Sequence, residues 1–298
     1  MRVYIKNHKS FAGHWIYNKG YASAWESEGY EVSLYDSLLE IDDSDYYLMA
    51  IDGDINTQNL HVLKNSKKSF LYAQPNYYPD PWGKHPNFKC HCPDGVIDEI
   101  NLIDNCKLWS FGDVTEFHYK WKEVATMKLA FDSINYKDLK KGDYVYDVCF
   151  IGGWANNGYN EKRKIMLDHF GELRELGLKC GIFINKNLTH EQENQVLCNS
   201  KVALNIHDAY QRTLGLDSNE RTFKSLGLTG ALVCDNITQV KNTFPSLELY
   251  ETPKQMVELI KRYVEKPSGD LEEIKRNNKE LINKEHTYIK RVKQLRKL

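Results

Sequence analysis

Residues 218–224, Ser-Asn-Glu-Arg-Thr-Phe-Lys, place a capping side chain, a permanent cation and two further charges at what reads as the start of a helix. Ser218 or Asn219 supplies the cap. Phe223, Leu226 and Gly227 recur at the three- and four-residue spacing of a face packed on a sheet, Gly230 stops the helix, and 231–234 is an apolar strand. Free amides and the positive end of the helix dipole attract anions, and Arg221 adds a fork of donors in the first turn. Phosphate is the anion this chemistry suits. An ordinary helix and strand of an α/β domain would read the same way, so the surroundings have to decide.

Other candidates stand at the ends of strand-like runs. The apolar run 146–151 leads into Gly152 and Gly153, which let a backbone approach a ligand closely, and the following helix offers Arg163 or Lys164 to offset phosphate charge without a metal. His207-Asp208 follows the run 201–206, and carboxyl ends of parallel strands are where such sheets bind ligands. Asp217 and Glu220 flank the helix start, suited either to sugar hydroxyls or to capping. Nearer the N-terminus, His14 beside Gly13 has the intrinsic pKa for proton transfer, with Asp113 and Glu116 as competing bases. Asp52-Gly53-Asp54 imitates the Asp-x-Asp metal site of single-domain (GT-A) glycosyltransferases, although a strand-end turn explains it as easily. Cys90-His91-Cys92, with His85 nearby, offers soft ligands but lacks the second pair that zinc sites use.

The elements that must position these residues alternate from the first residue. Strand patterns at 3–5, 30–34, 46–51, 69–73 and 107–110 surround a helix pattern over 12–28, and a loop over 74–94 holds five prolines that forbid regular structure. After the charged connector 138–143, strand patterns at 146–151, 178–184, 201–206 and 231–234 alternate with helices, and helical segments follow at 255–264, 271–281 and 287–298. The expectation is α/β with two doubly wound, Rossmann-like domains, 1–140 and 141–280, followed by a terminal helix 281–298.

A chain of 298 residues suits two domains, and a formal net charge of −1 gives no global pull toward nucleic acid or anionic membrane. No apolar run nears the ~18 residues that span a bilayer, and the start lacks the apolar core of a secretion signal. Seven scattered cysteines fit reduced thiols, so a cytoplasmic location is expected.

The order of these signals resembles the CgeB-like branch of the glycosyltransferases, related to the family-4 enzymes. Residues 148–153 (Val-Cys-Phe-Ile-Gly-Gly) look like the opening strand of that family's nucleotide domain, and Asn219, Arg221 and Phe223 with Gly230 look like its Asn-x-Arg-x-Phe-Glu helix. The segments 244–250 and 258–263, and His286-Thr287-Tyr288 with Arg291, resemble its closing elements, so that the likeness covers 146–294. It implies two facing Rossmann-like domains (GT-B), 1–140 on the acceptor side, 141–280 binding the nucleotide sugar and the helix 281–298 crossing back, and metal-independent transfer of a sugar from a nucleoside diphosphate sugar, uridine-linked, to an acceptor in the cleft. The acceptor is left open between a glycan, a protein, a small molecule and a modified pyrimidine of viral DNA. One departure is Lys224, where the family has a Glu that accepts hydrogen bonds from ribose hydroxyls. An ammonium cannot accept a hydrogen bond, so Glu220 or backbone carbonyls hold the ribose, or Lys224 reaches a phosphate, or it faces solvent. The departure also motivates a competing reading, a non-catalytic nucleotide- or glycan-binding module. An epimerase on the same domains lacks support, because Gly152-Gly153 is not a full dinucleotide fingerprint.

Overall fold

The computed structural model describes residues 1–42, 44–139, 142–154 and 161–298. Two compact units emerge, one of Met1–Lys128 joined by Tyr288–Leu298, the other of Leu129–Thr287. The chain changes unit at 128/129 and again at 287/288, where composition had suggested 140 and 281. Burial explains the difference. Ala130 and Phe131 are buried, Phe131 N donates to His286 O at 2.8 Å, and the Phe131 ring packs on Gly227, so this stretch already belongs to the second unit.

The first unit comprises β1 (Arg2–Lys6), a helix that starts as α1 (Phe11–Gly13) and ends as α2 (Ala22–Ser27), β2 (Glu31–Tyr35), β3 (Tyr47–Ile51), α3 (Leu60–Asn65), β4 (Lys68–Tyr72), α4 (Asp94–Ile100), β5 (Cys106–Ser110) and β6 (Ala125–Thr126). Its strands lie parallel in the order β2-β1-β3-β4-β5-β6. A parallel sheet must be covered on both faces. Leu48, Leu71 and Leu108 pack with Val62 of α3 and with Val96, Ile97 and Ile100 of α4, while Trp25 of α2 lies against Phe70 and Met49 on the other face. The helix predicted over 12–28 is present, but its middle, His14–Tyr21, is wound as a π-helix. The proline-rich loop holds only single 3-10 turns, at Trp82–Lys84 and Pro86–Phe88.

The second unit runs β7 (Tyr146–Gly152), α5 (Lys162–Arg174), β8 (Cys180–Ile184), α6 (His190–Cys198), β9 (Ser200–Asn205), α7 (Ala209–Leu214), α8 (Glu220–Leu228), β10 (Leu232–Asp235), α9 (Thr238–Thr243), β11 (Leu249–Tyr250), α10 (Pro253–Val264) and α11 (Ser268–Glu285). Then α12 (Tyr288–Leu295) rejoins the first unit, its Tyr288 ring so close to Gly20 that a Cβ there would lie 2.5 Å from Cδ2. The parallel strand order is β11-β10-β9-β7-β8. The second unit is thus doubly wound about β7, with β8 on one side and β9 on the other, which opens a crevice at the carboxyl ends of β7 and β9.

Helix α8 forms as its sequence predicts. Asn219 caps it by accepting from Thr222 N, Phe223 and Leu226 are buried, and each fully buried side chain of this kind contributes roughly 1.5–3 kcal/mol. Gly230 ends it at φ +79°, where a side chain would be strained and a Cβ would also meet the Lys275 carbonyl oxygen at 2.6 Å.

Candidate functional site

Arg221 turns inward over the crevice. Its Nη1 donates to Asn205 Oδ1 at 2.9 Å, at the end of β9, and its guanidinium carbon lies 5.0 Å from the centre of the Phe150 ring in β7. A Cβ on Gly152 would run into Arg221 Nη2, so this glycine makes room for the guanidinium. Asn205 is wholly buried and exchanges hydrogen bonds with the Asn219 amide (2.9 and 3.1 Å) while donating to Thr222 Oγ1 at 2.9 Å. The helix cap and the guanidinium are therefore held by one strand-end residue.

A second buried network lies behind the first. His207 follows β9, and its Nδ1 lies 2.6 Å from Asp235 Oδ1, at the end of β10, while its Nε2 is 3.5 Å from Thr222 Oγ1. Asp235 Oδ2 also accepts from His207 N and from Arg212 Nη1, both at 2.9 Å. Burial lowers the pKa of His207, which leaves a neutral ring donating from Nδ1. Burial opposes ionisation of Asp235 as well, but His207 and Arg212 outweigh it and hold the carboxyl far below its usual range. His207, predicted to touch a ligand, is thus shielded and braces Thr222 and Asn205. With Cys234 it also forms the one His/Cys/carboxylate group among the described residues whose ligand atoms lie within 4.8 Å, but its Nδ1 is committed to Asp235.

The cation supplied by α5 is Lys162, which sequence reasoning missed. It is 3% exposed, donates to the carbonyl of Ile206, and lies 3.4 Å from Asp208 Oδ1. Burial pushes its pKa down to about 8, with Arg221 adding to the effect and Asp208 opposing it. The signal was present: Met166, His169 and Leu173 mark the buried face of α5, and one turn back from Met166 falls on Lys162. Arg163 instead lies exposed, 6.0 Å from the Trp154 ring, and Lys164 is exposed too. Gly153 packs against Asn185, whose Oδ1 also accepts from Trp154 N at 3.1 Å.

Around the start of α8, Asp217 is half-buried with long contacts from Gln211 Nε2 (3.4 Å) and Tyr210 OH (3.5 Å), and burial pushes its pKa up to about 7. Phe223 is core, packed between Phe244 and His286. Lys224 does not face solvent: it is buried, pairing with Glu193 Oε1 at 2.7 Å and with Glu220 Oε2 at 3.1 Å. Tyr136 OH donates to the other oxygen of Glu193 at 2.8 Å. Burial works against charge on both Lys224 and Glu193, but the pairing overrides it, raising the lysine and lowering the glutamate.

In the first unit, His14 is half-buried on the π-helical stretch, its Nδ1 3.3 Å from Asn18 Nδ2, and Asp113 is half-buried in the segment after β5. Asp52 and Asp54 turn to different partners. Asp52 Oδ2 accepts from Gln74 N at 2.9 Å and from Cys90 Sγ at 3.5 Å, whereas Asp54 Oδ2 pairs with Lys6 at 3.0 Å. Cys90 and Cys92 are free thiols, and burial pushes both up to about 12.

A family model described as glycosyl transferase-like matches residues 144–297, just over half of the chain. The chain belongs to the glycosyl transferase-like family. The matched segment contains Gly152, Lys162, Asn205, His207 and Arg221, so the part that defines the family is the part that builds the crevice. No curated protein matches the transferase chain in sequence. Among solved structures, T4 phage β-glucosyltransferase in complex with its UDP-glucose substrate is similar at 12% identity and TM-score 0.56, covering 100% of this chain and 98% of that one. The same phage protein with UDP and Mn2+ gives 14% identity and TM-score 0.57 over the same shares. A mutant of S. aureus TarM in complex with fondaparinux, α-GlcNAc-glycerol and UDP gives 10% and 0.56, covering 87% of this chain and 56% of that one. The two-sheet α/β fold is accordingly GT-B-like. No helix among the described residues is long and apolar enough to cross a membrane.

Proposed function

We propose that this transferase moves a sugar from a UDP-sugar to an acceptor hydroxyl, and that it belongs to the CgeB-like branch of its family. The observation that carries the proposal is the placement of two cations, Arg221 and Lys162, anchored on the neighbouring residues Asn205 and Ile206 at the end of β9. In the reaction the bond between the anomeric carbon and the diphosphate oxygen breaks, and a bond from that carbon to the acceptor oxygen forms. The acceptor proton passes to a base of the first unit, His14 or Asp113, and UDP departs. Charge grows on the leaving diphosphate, and preorganised donors in a shielded crevice stabilise it more than water does. Arg221 and Lys162 fill that role without a divalent ion. We assign to Asp217 and Glu220, at the start of α8, the role of accepting hydrogen bonds from donor hydroxyls. The brace from Asp235 through His207 and Thr222 to Asn205 keeps the guanidinium oriented.

Thermal shift of the full chain with UDP and UDP-glucose, with magnesium or with EDTA, tests the reading. A selective rise in melting temperature is expected in both, because a ligand of the native state stabilises by mass action. In Arg221→Ala the shift falls away, since a charge-assisted hydrogen bond contributes roughly 1.5–3 kcal/mol. An unchanged shift in that variant refutes the assignment of the guanidinium to the diphosphate.

A further inference from the structure

We propose that the first unit holds an uncharged sugar residue in a polar pocket at the carboxyl ends of β1, β2 and β3. The inference deepens the transferase reading, on which it rests for its role: it makes the acceptor a glycan. The pocket, open to solvent on one side, has about 310 Å³, at the lower end of the ~300–1,000 Å³ usual for ligand sites, which suits one ring rather than a long chain. It opens where the first unit's own strand order reverses, with β2 on one side of β1 and β3 on the other.

Its walls are preformed. Lys6 Nζ lies 3.0 Å from the Asp36 carbonyl and 3.0 Å from Asp54 Oδ2, with the Tyr35 ring 5.6 Å away. Asp36 Oδ1 accepts from Asn7 Nδ2 at 3.0 Å and pairs with Lys9 at 2.8 Å. Asn59 Nδ2 donates to the Asp54 carbonyl at 2.7 Å, and Asn56 and Gln58 stand exposed at the rim. Carboxylates accept hydrogen bonds and side-chain amides both donate and accept, which matches hydroxyl groups that do both.

Charge narrows the ligand further. Lys6 and Lys9 cancel Asp36 and Asp54, so the pocket has no net pull on a phosphate or a DNA backbone. A divalent cation, which takes six or more oxygen ligands or keeps several waters, meets the Lys6 ammonium already seated between Asp54 and the Asp36 carbonyl.

Saturation-transfer NMR on the full chain decides the matter, with maltose, cellobiose and diacetylchitobiose as probes and with inorganic phosphate and magnesium chloride as competitors. At least one disaccharide is expected to bind, with affinity reduced threefold or more in Gln58→Ala and in Asp54→Asn and unchanged by phosphate or magnesium. Gln58 is exposed, so its truncation leaves the fold intact, and circular-dichroism melting verifies this for both variants. Absence of binding by all three sugars, equal binding in both folded variants, or displacement by phosphate or magnesium overturns the proposal. The UDP thermal shift of the unmodified chain is read separately, so failure of the donor reading and failure of the sugar pocket are distinguishable.

Discussion

Raising the pH from 7 to 9 should weaken UDP-sugar binding about tenfold, through one side chain. Lys162 is buried against the Ile206 carbonyl with a pKa of about 8, so its ammonium is ~90% present at pH 7 and ~10% present at pH 9. A bound diphosphate favours the charged form and returns the pKa toward the ordinary lysine value. The affinity ratio between the two pH values is then (1 + 10)/(1 + 0.1), about tenfold or ~1.4 kcal/mol. Stability of the ligand-free chain moves the opposite way. Because Lys162 titrates lower in the folded chain than in the unfolded one, the unfolded state holds more protons between about 8 and ~10.4, and this residue's contribution to stability rises with pH across that window. Weaker binding alongside unimpaired stability therefore separates the effect from alkaline unfolding. Isothermal titration calorimetry at pH 7, 8 and 9 reads the affinity, with Lys162→Arg and Lys162→Met as controls that also subtract titration of the ligand. Both variants should lose the Lys162-dependent slope, Lys162→Met at uniformly weak affinity. An identical pH slope in the unmodified chain and in Lys162→Arg refutes the reasoning.

Gly152→Ala should weaken UDP binding tenfold or more in calorimetry although no charge is removed, because the added Cβ displaces the Arg221 guanidinium from its seat; unchanged affinity counts against that packing. Lys224→Met should lower stability in urea melts by about 3–5 kcal/mol, since it leaves Glu193 and Glu220 uncompensated. Lys224→Glu, which brings in the residue usual in the resembled branch, should be worse still; equal or greater stability than the unmodified chain would contradict the buried ion cluster. Asp217→Asn should raise the melting temperature more at pH 8 than at pH 4. The folded Asp217 keeps its proton up to about pH 7 while the unfolded one loses it near ~3.9, so its cost to the fold grows across that range.

Much of the second unit was legible in the sequence because its signals are local. Apolar runs ending in glycine or a polar pair, the Asn219 cap, the spacing of Phe223, Leu226 and Gly227, and the stop at Gly230 act within a few residues, and each stands where it was read. The role of Gly152 was less accessible. A glycine after a strand reads as room for a ligand, whereas here the space is taken by Arg221, far along the chain. His207 is similar: strand-end position suggested ligand contact, and Asp235, from the next strand of the sheet, turned it into a brace.

Residue types and their periods, by themselves, determined that this chain forms two parallel α/β sheets and that Arg221 stands in the first turn of a capped helix beside a strand end. Only the tertiary structure decided which charges meet. Lys162 rather than Arg163 enters the crevice because helix rotation is set by packing of Met166 and Leu173 on the sheet, and Lys224 finds Glu193 because α6 and α8 pack together. Parallel strands joined by crossovers bring together side chains that are distant in sequence, and no short-range pattern encodes those meetings.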